Sequence, residues 1–282
     1  MGEFLTDLQT QRFLQYALLT GVLASIACGV IGSYVVTRRI TYIAGAISHS
    51  VLCGMGAARY YGVVYQWQWL HPLWGAVAAA LAAAVVIGLV SLWAKQREDT
   101  VIGAVWAVGM ALGILFIFKT PGYHEDLMSY LFGNILLVSP SDLWLIAGLD
   151  ILVIGTGLLF YNQLLAVCFD EELARLRGIN VTFFYLLLLC LTALTVVLLV
   201  SVVGIVMVIA LITLPAAVAS ELTRRLWQMM ILAALLTALF TTGGLALSYG
   251  PDLPAGAVTI LLAGVAYLGV SVGMRFYRRG RA

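Results

Sequence analysis

Long apolar stretches separated by short polar segments run along almost the whole chain. Each has roughly the 20 mostly apolar residues that an α-helix needs to cross a bilayer. The pattern predicts nine such spans, at residues 14–36, 40–58, 72–94, 101–118, 142–160, 181–202, 203–220, 227–247 and 257–275. Almost no loop separates the sixth span from the seventh, so a re-entrant segment there would reduce the number to eight. We therefore predict an all-α polytopic membrane protein with eight or nine transmembrane helices.

Composition supports this fold class. The 282 residues are 63% hydrophobic and only 10% charged, whereas roughly 25% of the residues in an average soluble domain are charged. The spans use most of the chain and leave no room for a soluble domain. We predict a single transmembrane domain over residues 1–282 that is in contact with membrane lipid.

Positive charge is distributed unevenly between the two sets of alternating loops. The set that includes the C-terminus holds twelve of the fifteen Lys and Arg residues, and the other set holds only Arg12, Arg59 and Lys119. Because Lys and Arg are enriched in cytoplasmic loops, the distribution predicts a cytoplasmic C-terminus and an N-terminus outside.

One histidine, His49, lies within the second predicted span, among small and apolar residues. Ionisable side chains are expensive at bilayer depth and usually face a pathway, a partner or a bound ion. Gly45, His49 and Cys53 are four residues apart and share one helix face. Imidazole and thiolate are both ligands for zinc and related ions. His49 is therefore a candidate metal ligand, with a hydrogen bond to a neighbouring helix as the alternative. Cys53 is either a second ligand or a buried thiol.

Two acidic features are further candidates. Asp150 lies inside the fifth predicted span, where it either lines a metal pathway or pairs with a polar group on an adjacent helix. His124, Glu125 and Asp126 form a compact cluster in an outer loop. This cluster either concentrates divalent cations at an entrance or is a solvated loop ahead of a short helix.

The longest predicted inner loop, at about residues 161–180, contains a charged segment with helix-favouring composition. It includes Phe169, Asp170, Leu173 and Ala174 and is followed by Gly178, a residue suited to a helix C-terminus. In the seventh span, Gly204 and Pro215 are candidate helix breaks. Broken helices of this kind are common in transporters, and a simple packing kink is the alternative.

The sequence lacks the motifs of ATP hydrolysis and proteolysis. It has no Gly-rich phosphate loop, no His-Glu-x-x-His and no Gly-x-Ser-x-Gly. We predict that the chain is not an enzyme, holds no permanently bound cofactor and binds no nucleic acid. If transport is driven by ATP, a separate subunit must hydrolyse it.

Several motifs together resemble one family, the membrane permeases of bacterial ABC importers for zinc, manganese or iron. They are Arg38 and Arg39, the run Ala46–Leu52 around His49, the run Asp126–Asn134, the segment Phe169–Ile179, and Pro215–Ala217. The resemblance covers nearly the whole chain in the expected order.

The resemblance implies a type II ABC importer-like bundle in the bacterial cytoplasmic (inner) membrane. It implies a second permease subunit, either a copy of the chain or a paralogue, two cytoplasmic ATPase subunits and an extracytoplasmic metal-binding protein. Residues Phe169–Gly178 would match the coupling helix that contacts the ATPase, and His49 would match the histidine in the metal pathway. A permease of similar architecture for a metal chelate, such as a siderophore or cobalamin, is the alternative function.

The chain departs from the family pattern beside the histidine. Members commonly have an acidic residue four positions before it, where this chain has Gly45, and a proline four positions after it, where this chain has Cys53. The change removes a hard oxygen ligand suited to manganese and offers a soft sulfur ligand instead.

Overall fold

The computed structural model describes residues 7, 10–67, 69–93, 98–122, 140–251 and 253–279. These residues form α-helices joined by short connections, and no strand occurs among them. The helices are α1 (Arg12–Arg38), α2 (Thr41–Val64), α3 (Pro72–Trp93), α4 (Glu98–Lys119), α5 (Pro140–Leu159), α6 (Tyr161–Phe169), α7 (Glu171–Leu176), α8 (Val181–Val203), α9 (Ile205–Leu222), α10 (Leu226–Tyr249) and α11 (Ala255–Arg279).

Each of the nine predicted spans coincides with one of the long helices. Seven of the described helices are long and apolar enough to cross a membrane, and there are eight such spans if the bent pair α5 and α6 counts as one. The bend between these two helices is 70°. The prediction of eight spans agrees with the larger of these two numbers. A ninth span would require α2, which carries His49 and Arg59 and is not among them.

Helix α2 nevertheless runs the length of the bundle. It packs antiparallel to α3, because Gly54 approaches Ala79 while Ala58 approaches Gly75. Twelve of its residues are buried, including the polar residues Ser48 and Ser50, so other helices cover much of its surface. Mean hydropathy underestimates the ability of such a helix to cross a membrane. A hydropathy threshold suits helices that face lipid, whereas α2 is largely covered by other helices.

The loops that carry most of the positive charge meet at one end of the bundle. Arg38, at the end of α1, forms an ion pair with Glu171 of α7, and its guanidinium lies 5.6 Å from the centre of the Tyr185 ring. The Tyr185 hydroxyl is 3.1 Å from Ser91 Oγ, which donates to Glu98 Oε1 at 2.7 Å. We call this the basic end.

The opposite end holds the start of α1 and the end of α10. The Tyr249 hydroxyl donates to Asp7 Oδ2 at 2.7 Å. A cluster of aromatic rings lies here: the ring of Tyr61 stacks with those of Tyr65 and Trp67, and Trp67 stacks with Trp69. Trp69 is 72% exposed, as suits a side chain at a membrane interface.

Small residues allow the central helices to approach closely. A Cβ on Gly109 of α4 would lie 2.8 Å from Ser50 Cα, and one on Gly113 would lie 2.7 Å from the Leu52 carbonyl carbon. Glycine at such contacts is typical of helix packing in membranes. It fixes α4 beside α2, parallel to it, with Trp106 opposite His49.

Candidate functional site

His49 lies within α2, one face of which is covered by α4. Its imidazole ring stacks on the indole of Trp106, with ring centroids 4.6 Å apart and planes inclined by 19°. The side chain is partly buried, and its Nδ1 atom is buried without a hydrogen-bond partner. A buried nitrogen without a partner is costly, and coordination of a metal ion would satisfy it. The alternative of a hydrogen bond to a neighbouring helix is not found at Nδ1.

At Gly45, where members of the family that the sequence resembles commonly have an acidic residue, the space for a side chain is filled by Trp106. A Cβ on Gly45 would lie 2.9 Å from Trp106 Cζ3, 3.2 Å from Trp106 Cη2 and 3.3 Å from Ile209 Cδ1. The six-membered ring of the indole therefore lies over Gly45 and against His49 at once. We use the name Gly45 notch for the space beside Gly45 that a side chain at this position would fill. Sequence reasoning identified the departure at Gly45 but did not identify Trp106.

Cys53 lies one helical turn beyond His49 and is a partly exposed free thiol. Its backbone nitrogen would lie 2.8 Å from a Cβ on Gly113, so α4 passes close to it. Within the described residues, no group of three or more His, Cys, Asp or Glu side chains is placed to hold a metal ion. The structure thus keeps His49 and Cys53 on one face of α2 but does not complete their coordination with a third such side chain.

Asp150 is not gathered into a cluster with His49 and Cys53. It lies on α5, which packs mainly against α1 and α8, and the residue is only 3% exposed. Its Oδ1 atom has no hydrogen-bond partner, so the predicted pairing with an adjacent helix is not found at this oxygen. The outer cluster of His124, Glu125 and Asp126 lies outside the described residues.

The predicted inner segment forms two short helices. Asp170 caps α7, because its Oδ1 accepts a hydrogen bond from the backbone N–H of Leu173 at 3.0 Å. After the last turn, Gly178 has a φ of 77°, and the N–H of Ile179 donates to the carbonyl oxygen of Ala174 at 3.0 Å. The left-handed Gly178 ends the helix as the sequence predicts. The cap at Asp170, which begins the helix, is a finding of the structure.

Helix α7 has one face inside the protein and one outside it. Ala174 is fully buried, whereas Leu173 and Leu176 are 45% and 85% exposed. Phe169, the last residue of α6, is 69% exposed beside them. Beside them lies a groove of about 650 Å³, formed by α6, α7 and the connection from α9 to α10. Its lining includes Phe169, Asp170, Leu173, Arg177, Arg224 and Arg225. We call this surface the basic groove; it combines apolar and charged side chains and lies at the basic end.

The two predicted helix breaks differ. Gly204 separates α8 from α9 with φ 80° and ψ 163°, a conformation that is essentially restricted to glycine. Pro215 does not break its helix, because α9 continues without interruption from Ile205 to Leu222. A proline removes one backbone hydrogen bond, and Pro215 is buried among its neighbours, so packing keeps the helix intact.

Comparison with known proteins decides the family. A family model described as the ABC 3 transport family matches residues 10–274, which is nearly the whole chain. The chain belongs to this family. Its apolar helices and its family together make it a multi-pass membrane protein.

Named relatives agree with the family. A probable metal transport system membrane protein of Chlamydia trachomatis is 40% identical over 252 residues, covering 89% of this chain and 85% of that protein. The manganese transport system membrane protein MntC of Listeria monocytogenes is 37% identical over 264 residues, covering 94% and 91%. The solved structure of PsaBC from Streptococcus pneumoniae in complex with Fab has a TM-score of 0.85 at 32% identity, covering 95% and 94%. The fold of that structure therefore extends over 95% of this chain.

Proposed function

We propose that this chain is the membrane permease subunit of an ATP-driven importer that carries divalent metal ions, namely zinc, manganese or iron. The observation that carries the proposal is His49, an imidazole within the bundle whose Nδ1 atom is buried without a hydrogen-bond partner. The family and the relatives named for metal or manganese transport support the same cargo.

The close packing around His49 argues for a bare ion rather than a metal chelate. Gly109 and Gly113 bring α4 against the backbone of α2, and Trp106 covers the imidazole. A siderophore or cobalamin would need a wide cavity lined by aromatic and polar groups. The basic groove is of suitable volume, but it lies at one end of the bundle beside α7, away from His49.

In the proposed mechanism this chain breaks no bond. Its helices adopt two arrangements, one open to each side of the membrane, and ATP binding and hydrolysis in two cytoplasmic ATPase subunits shift the balance between them. An extracytoplasmic binding protein delivers the ion, and a second permease subunit, identical or paralogous, completes the pathway. Transport occurs across the bacterial cytoplasmic membrane.

Helix α7 and the basic groove are the proposed contact with the ATPase. The exposed apolar side chains Phe169, Leu173 and Leu176 provide a surface for a partner. The ion pair of Arg38 with Glu171 and the buried Ala174 connect this surface to the rest of the bundle. A displacement of α7 by the ATPase is thereby transmitted to α1.

Replacing His49 with alanine tests the cargo assignment. Because the change removes the imidazole ligand, we expect metal uptake by cells to fall about tenfold or more, the size typical of damage to a metal site. The measurement is uptake of radioactive zinc, manganese and iron, with the amount of membrane-inserted protein determined in parallel. His71→Ala is the matched control, since His71 is exposed at the membrane interface and should leave uptake unchanged. Normal uptake by His49→Ala would contradict the assignment.

A further inference from the structure

Trp106 contacts two positions of α2 at once: Gly45, which has no acidic side chain, and His49. One ring of its indole lies against the Gly45 notch, and the same side chain is stacked on the His49 imidazole. Nothing in the order of residues along the chain connects position 106 with position 45, because the two lie on different helices. The contact becomes visible only when α2 and α4 are side by side.

The contact makes two side chains mutually exclusive. Even a Cβ at position 45 would stand 2.9 Å from Trp106 Cζ3, closer than real Cβ atoms approach other heavy atoms. An aspartate would add three more heavy atoms beyond that Cβ, so a carboxylate at position 45 requires the indole to shift from its place. The indole has little room to move, since Ile209 of α9 borders the Gly45 notch, with its Cδ1 atom 3.3 Å from the same Cβ position.

The backbone holds Trp106 in this place. One turn further along α4, Gly109 lies against Ser50, and Gly113 lies against Leu52. These contacts fix the register of α4 on α2, so the indole cannot slide along α2 without separating the two helices. The helix pair therefore holds the backbone of Trp106 near His49, and the side-chain rotamer then stacks the indole on the imidazole.

We infer that Trp106 is a specificity-determining residue of the metal pathway: by occupying the Gly45 notch it keeps a carboxylate away from the cargo and orients the His49 imidazole. The inference rests on the proposed function. The pathway then offers this chain's nitrogen ligand without a hard oxygen ligand beside it. Imidazole suits zinc and iron, whereas carboxylate oxygens suit manganese. The transporter accordingly prefers zinc or a similar ion over manganese.

Orientation is the second contribution of Trp106. A metal-binding imidazole needs a neighbour that fixes its ring, and loss of such a neighbour weakens binding. The usual neighbour is a hydrogen-bond acceptor on the ring nitrogen that does not bind the metal. Face-to-face contact with an indole provides the restraint in its place.

The test measures the ratio of zinc to manganese uptake in cells that lack their own importers and express the complete transporter. The wild type should favour zinc about tenfold or more, and Gly45→Asp combined with Trp106→Ala should shift the ratio toward manganese by about tenfold. Gly45→Asp alone should impair uptake of both metals, because its carboxylate meets the indole, and the added Trp106→Ala should restore it. Trp106→Phe, which keeps a ring in place, should change the ratio less than Trp106→Ala.

Gly103→Ala is the matched control, because it lies on the same helix and an added Cβ there meets nothing within 4 Å. Its uptake ratio should equal that of the wild type, with protein amounts compared for every variant. A wild type that prefers manganese, or a double variant whose ratio does not move, would overturn the inference while leaving metal import intact. Failure of the wild type to import either metal would instead overturn the proposed function itself.

Discussion

At the scale of single residues, glycine decides how closely α2 can approach its neighbours. A Cβ on Gly54 would lie 2.6 Å from both the Ala79 Cβ and the Gly75 carbonyl carbon, so the two helices touch along their backbones. The same property explains Gly45, whose missing side chain gives room to Trp106. Small residues in α2 are therefore packing surfaces, and they surround His49, the proposed metal ligand.

This packing makes Gly54→Ala a destabilising change. The added methyl group must push α3 away from α2, and overpacking of this kind costs about 1–3 kcal/mol. We expect a lower midpoint of thermal unfolding in detergent than for Gly62→Ala. Gly62 is the control because it lies on the same helix and its nearest neighbour to an added Cβ is 3.7 Å away. Equal midpoints for the two variants would show that the close contact of Gly54 with α3 does not contribute to stability.

At the scale of elements, α7 depends on its caps, since six residues are too few for a helix to be stable alone. Replacing Gly178 with alanine places a side chain on a residue with φ of 77°, which costs on the order of 1 kcal/mol or more. The exposed apolar face of α7 should then be held less firmly. We expect fewer metal ions imported per ATP hydrolysed when the complete transporter is assayed in proteoliposomes.

Gly148→Ala is the control for that experiment, because its backbone is not in the left-handed region and an added Cβ meets nothing within 4 Å. It should keep the wild-type ratio of import to hydrolysis. If Gly178→Ala keeps that ratio too, α7 does not couple the two processes.

The sequence predicted the long helices well, because an apolar block of membrane length has few alternatives. It also predicted α7 from its helix-favouring composition and from Gly178, which has no Cβ and can take the left-handed backbone that ends the helix. It did not predict α6, or the 70° bend that precedes it, because a bend between two helical segments leaves no mark on hydropathy. Trp106 was missed for a related reason: hydropathy predicts where helices are, but shape complementarity between helices decides which of them meet.

At the scale of the whole molecule, the two ends of the bundle carry different chemistry. The ion pair of Arg38 with Glu171, the contacts of Tyr185 and the basic groove all lie at one end. Asp7 meets Tyr249 at the other. Helix α1 therefore starts at the end opposite the basic groove. Helix α11 starts close behind Tyr249 and has 25 residues, which is long enough to return to the basic end.

This arrangement predicts the orientation in the membrane. Because Lys and Arg are retained on the cytoplasmic side, the basic end should face the cytoplasm, with the C-terminus there and the N-terminus outside. A fluorescent protein fused after Ala282 should fluoresce in cells, and alkaline phosphatase fused after Pro251, in the connection between α10 and α11, should be active. Alkaline phosphatase fused after Arg225, in the basic groove, is the internal control and should be inactive. Activity at Arg225 with none at Pro251 would reverse the orientation and remove α7 from the reach of a cytoplasmic ATPase.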